Sequence, residues 1–246
     1  MKKILSFILL SALVYGCAEK NTDIVDSHYK MGLAYLNSDT DYLAIVEFEK
    51  ALMIDGNNDK VHYAIATFYV KKNRPKDAEK YIKKAVELDP ENLDYQNLLA
   101  TILATQNRTL DAINIWKKIV ENPKYPTPEI VHFNIASAFM QIRNYYEAEN
   151  HLKKSISINP RVMNTYITLA NLYILSNKYD EAIKTLQDLL AINPTYNPAK
   201  VQLAKLYINK SNNAAALNLL KEVITSEPNS KEAKDSIELI KEIGLK

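Results

Sequence analysis

Apolar residues recur along this chain at helical spacing, and the helical stretches themselves recur about every 34 residues. Within one stretch Ala78, Ile82, Ala85 and Val86 fall on one face of a 3.6-residue helix, with lysines and glutamates between them. Three columns run through the sequence in a single register. One is Ala44, Ala78, Ala112, Ala148, Ala182 and Ala216, with spacings of 34, 34, 36, 34 and 34 residues. The second, Tyr35, Tyr69, Leu103, Phe139, Tyr173 and Tyr207, is large and mostly aromatic. The third, Gly32, Ala66, Ala100, Ala136, Ala170 and Ala204, is small. The pattern predicts six units, 25–58, 59–92, 93–126, 129–162, 163–196 and 197–230, each a pair of antiparallel helices. In the second unit helix A is expected from about Lys60 to Lys72 and helix B from about Pro75 to Leu88. Each B helix ends at a stop signal. Asp89-Pro90, Asn159-Pro160, Asn193-Pro194 and Glu227-Pro228 push the residue before proline out of the α region. Asp55-Gly56 offers glycine for a left-handed cap instead.

A 34-residue period with a small residue, an aromatic three later and an alanine nine after that resembles the tetratricopeptide pattern. The alanines let the partner helix approach closely, and the aromatic fills the adjoining gap. No single pair can bury its apolar face alone, so neighbours must stack. The expected fold is all-α: a right-handed superhelical solenoid of six tetratricopeptide helix pairs spanning 25–246 with a C-terminal capping helix, 231–243. In that last helix Ala233, Ile237 and Ile240 are expected to face inward. The one irregularity is Asn122-Pro123-Lys124-Tyr125-Pro126-Thr127-Pro128, where three prolines and two extra residues interrupt the period. It reads either as a change of pitch or as a lengthened loop without a role.

The first residues are of another kind. Met1-Lys2-Lys3 is followed by an apolar run from Ile4 to Tyr15, too short to span a bilayer as a finished helix. A positive start, a short apolar core and Gly16 describe a secretory signal peptide, 1–16. Cys17, the only cysteine in the chain, stands directly after the small residue, so the segment resembles a bacterial lipoprotein signal. The resemblance implies that Cys17 is acylated and becomes the first residue, with 17–24 a lipidated tether. One acyl chain binds membranes marginally, whereas two or three give a lasting anchor. Ala18, where an aspartate would resemble a retention signal for the inner membrane, favours the outer membrane, with the chain facing the periplasm. A free thiol behind an ordinary signal and a transmembrane anchor are the competing readings.

Composition narrows the function. Removing Lys2 and Lys3 with the leader brings 31 basic residues to 29, equal to the 29 acidic ones. A neutral chain without a basic block offers no electrostatic footprint for nucleic acid. His28, His62 and His132 share one register position in three different repeats, too far apart for joint metal ligation, and read as packing residues. His151 is expected to face solvent or to be half-buried. The sequence holds no zinc-protease helix, phosphate loop or nucleophile elbow. Pairs such as Asp180-Glu181 sit at helix starts, where the dipole favours them. No catalytic residue, metal, cofactor or small-molecule substrate is expected, and the chain does not read as an enzyme.

The tetratricopeptide resemblance implies that the fifth, ninth and twelfth residues of each A helix line an inner groove. The fifth positions are Tyr29, Tyr63, Asn97, Phe133, Ile167 and Val201. The ninth are Leu33, Thr67, Thr101, Ser137, Asn171 and Lys205. The twelfth are Leu36, Val70, Ala104, Met140, Ile174 and Ile208. The candidate partner-binding residues are thus Tyr29, Leu33, Leu36, Tyr63, Val70, Phe133, Met140, Ile167, Asn171, Ile174, Val201 and Ile208. A largely apolar stripe suits an amphipathic helix or an apolar strand of another protein. The cysteine-ended leader, six repeats beginning with Tyr29-Lys30-Met31-Gly32-Leu33-Ala34-Tyr35-Leu36, and the Tyr125-Pro126 interruption together resemble the pilotin lipoproteins of type IV pilus assembly, the PilF/PilW/Tgl type. That family would imply an outer-membrane scaffold that helps secretin subunits localise and form their ring. The alternative is a tethered adaptor for another envelope export or polysaccharide machine.

Overall fold

The computed structural model describes residues 21–36, 38 and 40–244. The leader, Cys17 and residues 17–20 of the tether lie outside the described residues. Helix α1 covers residues 21–36, so residues 21–24, read as tether, are helical. It is followed by α2 (Tyr42–Ile54), α3 (Asp59–Lys71), α4 (Pro75–Leu88), α5 (Leu93–Thr105) and α6 (Thr109–Val120). Then come α7 (Pro128–Gln141), α8 (Tyr145–Ile158), α9 (Met163–Leu175), α10 (Tyr179–Ile192), α11 (Asn197–Asn209), α12 (Asn213–Ser226) and α13 (Lys231–Gly244). The regular structure of the described residues is all helix: an all-α solenoid of helix pairs with a C-terminal helix. Packing divides the chain into two compact units, Met1–Tyr125 and Pro126–Lys246. The boundary falls inside the proline run.

Within each unit the odd-numbered A helices pack on the B helices that follow them, and a B helix packs on the next A helix of the same unit, as α4 does on α5 and α8 on α9. The two small columns sit at these crossings. All six alanines of the first column, and Ala66, Ala100, Ala136, Ala170 and Ala204 of the third, are completely buried. Gly32 heads that third column for a steric reason. A Cβ there would lie 2.3 Å from the ring of Phe48, which is itself fully buried. Gly32→Ala is therefore expected to destabilise the first unit by about 1–3 kcal/mol, the usual cost of overpacking. Urea unfolding would read this. Adding Phe48→Leu, the residue that the later repeats carry as Leu152, Leu186 and Leu220, should restore most of the loss.

The turn between A and B helices repeats as faithfully as the helices do. Asn73, Asn107, Arg143, Asn177 and Ser211 all have φ between 53° and 62°. At each turn two hydrogen bonds close the helix end. Asn73 N–H reaches Val70 O at 2.9 Å and Arg74 N–H reaches Tyr69 O at 2.9 Å, the pairing of a Schellman cap. The carbonyl that takes the bond spanning more residues belongs to the aromatic column, as with Phe139 and Asn144 (2.8 Å) or Tyr207 and Asn212 (2.8 Å). That column therefore closes the turn with its backbone while its side chain fills the crossing.

Two expectations for the helix ends are corrected. Gly56 is not left-handed. The α2 stop instead uses an aspartate turn, in which Asn57 N–H donates to Asp55 Oδ1 at 3.1 Å. Asn159 and Asn193 do the same before their prolines, with Arg161 and Thr195 as donors (3.1 and 3.3 Å). In α13, Ile237 is 40% exposed rather than inward. Ala233 and Ser236 are the buried residues, and Ile240 packs with Leu239 and Ile243 over Ala204, Ala216 and Leu220. Ser236 is accommodated because its hydroxyl donates to Glu232 O at 2.7 Å.

Carboxylates join adjacent repeats at the outer turns. Glu79 meets Lys83 (2.6 Å) in its own helix and Arg108 (2.8 Å) at the next turn. Glu149 repeats the arrangement with Lys153 (2.6 Å) and Lys178 (3.3 Å). The hydrogen bond from Lys83 is the leading cause that holds the Glu79 carboxyl below the usual range. These exposed pairs contribute little individually.

Candidate partner-binding groove

In the second unit, α9, α11 and the start of α13 surround a depression of about 490 Å³. Its apolar floor is Ile174, Val201, Leu206 and Pro198. Asn171, Gln202, Lys205, Asn209, Lys231, Glu232 and Asp235 form a polar rim. Three of the residues expected in the groove, Asn171, Ile174 and Val201, come together here. Val201 is 6% exposed, so it contributes wall rather than free surface. Asn171 is exposed, and its Oδ1 accepts from Gln202 Nε2 on the neighbouring A helix. Phe133, Met140 and Ile167 are half-buried at matching positions of α7 and α9, and Ile208 packs against the core under α13.

The first unit uses aromatics instead. The ring of Tyr63 lies 4.9 Å from that of Tyr95, and Tyr29 lies 6.3 Å from Phe48. Tyr29 also lines a hollow of about 320 Å³ with Val25, Ile54 and Asn58. The Tyr95 hydroxyl donates to Asp59 Oδ2 at 2.7 Å; burial first, and then this carboxylate, push its pKa far up. Leu33 packs on the first core cluster and Val70 is exposed. Leu36 departs from its expected place. It is buried in the cluster with Val61, Ile65 and Phe68 and offers no surface.

The ninth-position hydroxyls do not make the groove polar. Thr67, Thr101 and Ser137 each donate to the carbonyl of the fifth-position residue, Tyr63, Asn97 and Phe133, at 3.0, 2.9 and 3.0 Å. Turning the hydroxyl back onto its own helix leaves carbon facing outward.

Sequence reasoning missed Tyr125. It belongs to the proline run, yet it is 7% exposed. Its hydroxyl donates to Asp94 Oδ1 at 3.2 Å and accepts from Asn97 Nδ2 at 3.3 Å. The Trp116 indole donates to Asn97 Oδ1 at 2.7 Å. Asn97, the polar exception among the fifth positions, is thereby held inside the first unit by two aromatics. A single tyrosine among three prolines was the available signal, since proline sets the backbone direction but supplies no anchor.

The histidines also hold a correction. His151 is buried, and its Nδ1 lies 2.9 Å from Nδ1 of His132. One ring must donate and the other accept, so the pair requires at least one neutral imidazole. Burial first, and then the nearby Lys154 ammonium, hold the His132 pKa below its ordinary value. A depressed folded-state pKa means that this stabilisation is complete above about 6.5 and is lost as pH falls through the lower, folded value. The second unit should therefore melt earlier at pH 5 than at pH 7.5, and His132→Phe should flatten that difference. Melting curves at both pH values test it. His28 and His62 are separately engaged, with Glu47 Oε2 (2.7 Å) and Gly56 O (3.0 Å). Among the described residues no three histidine, cysteine or acidic side chains converge as metal ligands.

The tetratricopeptide repeat family model matches residues 43–102, 140–198 and 178–238, and the chain belongs to that family. Its fold is of the PilF and PilW type. The structure of PilF from Pseudomonas aeruginosa superposes with a TM-score of 0.70 at 21% identity, over 88% of this chain and 97% of PilF. PilW, a widely conserved type IV pilus biogenesis factor, gives 0.74 at 19% identity, over 87% and 98%. Yeast Tom70 gives 0.66 at 21% identity, over 90% of this chain and 47% of Tom70. At such identities the likeness is one of fold. No curated protein sequence matches the chain at a significant level.

Proposed function

We propose that this protein is a lipid-anchored adaptor of the pilotin type, which holds a secretin subunit in its groove while that subunit reaches the outer membrane and joins its ring. The observation that carries the reading is the depression between α9, α11 and α13, with an apolar floor and a rim of both charges. Such a lining suits an amphipathic segment, whose apolar side meets Ile174 and Val201 and whose polar side meets Lys205, Lys231 and Asp235. Fold likeness to PilF and PilW over nearly their whole length supports the same reading. The Cys17 anchor would keep the groove at the membrane where the ring assembles. Deleting the gene should leave secretin as unassembled monomer, read by electrophoresis of unheated membranes. Normal rings with normal pili in that strain would assign the groove to another envelope machine.

A further inference from the structure

We propose that the outer end of the first helix pair rests on the lipid surface, through Met31 of α1 and Val46 and Met53 of α2. The inference rests on the reading that Cys17 is acylated. Register comparison carries it. Met31 occupies the position that later repeats fill with Ile65, Leu99, Ile135, Leu169 and Leu203. Ile65, Ile135, Leu169 and Leu203 are buried and Leu99 is half-buried, whereas Met31, on the first described helix, is 40% exposed. A stacked array needs a polar end, and α13 supplies one at the other terminus.

The second observation separates lipid from a stacked second copy. Val46 stands where later repeats have Lys80, Asn114, Asn150, Lys184 and Asn218. Met53 stands where they have Glu87, Glu121, Ser157, Ala191 and Thr225. These are outward positions in repeats that already have neighbours, so end-to-end stacking would leave them uncovered. Only in the first repeat are both large and apolar, and Met53 is 84% exposed. A surface that covers the end and the outer side together accounts for both sets. The chain's geometry brings that surface close: three residues lie between Cys17 and Asn21 at the start of the described α1, and the four steps reach at most about 14 Å. Lys30 and Lys50 are paired with Asp26 and Glu47 (2.6 Å each), so neither is a free charge that would draw this end to anionic lipid. The contact is apolar.

The test uses the full acylated chain in phosphatidylethanolamine–phosphatidylglycerol vesicles that carry a headgroup nitroxide. A fluorophore is placed at Met31→Cys, Met53→Cys or, in the same unit, Glu121→Cys, each variant first checked for native melting. Quenching several-fold stronger at the first two sites than at the third is expected, and it should persist at high salt and in uncharged phosphatidylcholine. Equal, weak quenching in protein that floats with the vesicles would overturn this inference and leave the anchor standing. Protein that does not float would remove the anchor reading and this one with it. Labels shielded without vesicles, in a dimer seen by sedimentation, would assign the surface to a second copy and overturn the proposal.

Discussion

Phe133→Asp combined with Ile167→Asp is expected to abolish partner capture while leaving the helical circular dichroism unchanged. Both residues occupy the fifth position of successive A helices in the second unit and are half-buried, so a carboxylate can remain hydrated in the free protein. Once a partner's apolar side covers the groove, each carboxylate must lose water without a counter-charge. That costs several kcal/mol per group, and the two together should weaken capture by at least about 100-fold, since each 1.4 kcal/mol is tenfold. The control is Ile158→Asp, an exposed isoleucine at the end of a B helix, which should capture as the parent does. Co-precipitation of the secretin subunit with full-length protein reads both. Intact capture by the groove variant, with loss in the control, would move the binding face to the B helices.

Cys17→Ser is expected to transfer the protein from the membrane to the soluble fraction. A single acyl chain supplies a membrane association constant of only about 10⁴ M⁻¹, and additional chains multiply it, each buried methylene adding about 0.8 kcal/mol. Without the thiol no acyl chain can be attached, and a few apolar side chains around Met53 cannot replace that energy. Mass spectrometry of the parent should show the lipid on an N-terminal Cys17 with residues 1–16 removed. Fractionation of the serine variant should find it released with an unchanged melting temperature. A variant that still pellets with membranes would show that another segment holds the chain there.

The helix pairs were legible in the sequence because each depends on local periodicity. The observed α4 runs Pro75–Leu88 as expected, and α3 differs from its predicted span by one residue at each end. The small columns were legible for the same reason: an alanine recurring every 34 residues marks a close crossing whatever its neighbours are, and all six are fully buried. Groove membership was only partly legible. Register predicted Asn171, Ile174 and Val201 together, but it could not foresee that Leu36 turns into the core or that Asn97 is taken by Trp116 and Tyr125. His132 and His151 occupy the same register pair as His28 with Glu47 and His62 with Tyr81, but the second residue differs in each of these repeats, so no column of like residues marked the contact.

By itself the sequence determined that the chain folds as stacked helix pairs, where each pair starts and stops, and which faces are apolar. Those properties follow from spacing along the chain, and every residue that sets them acts on neighbours within a turn or one repeat. The tertiary structure alone decided which apolar positions become surface. It turned the ninth-position hydroxyls back onto their helices, drew Tyr125 out of the proline run and left Ile237, Met31 and Met53 uncovered. Exposure depends on whether another helix lies across a given face, and the period of a repeat carries no information about where the array begins and ends.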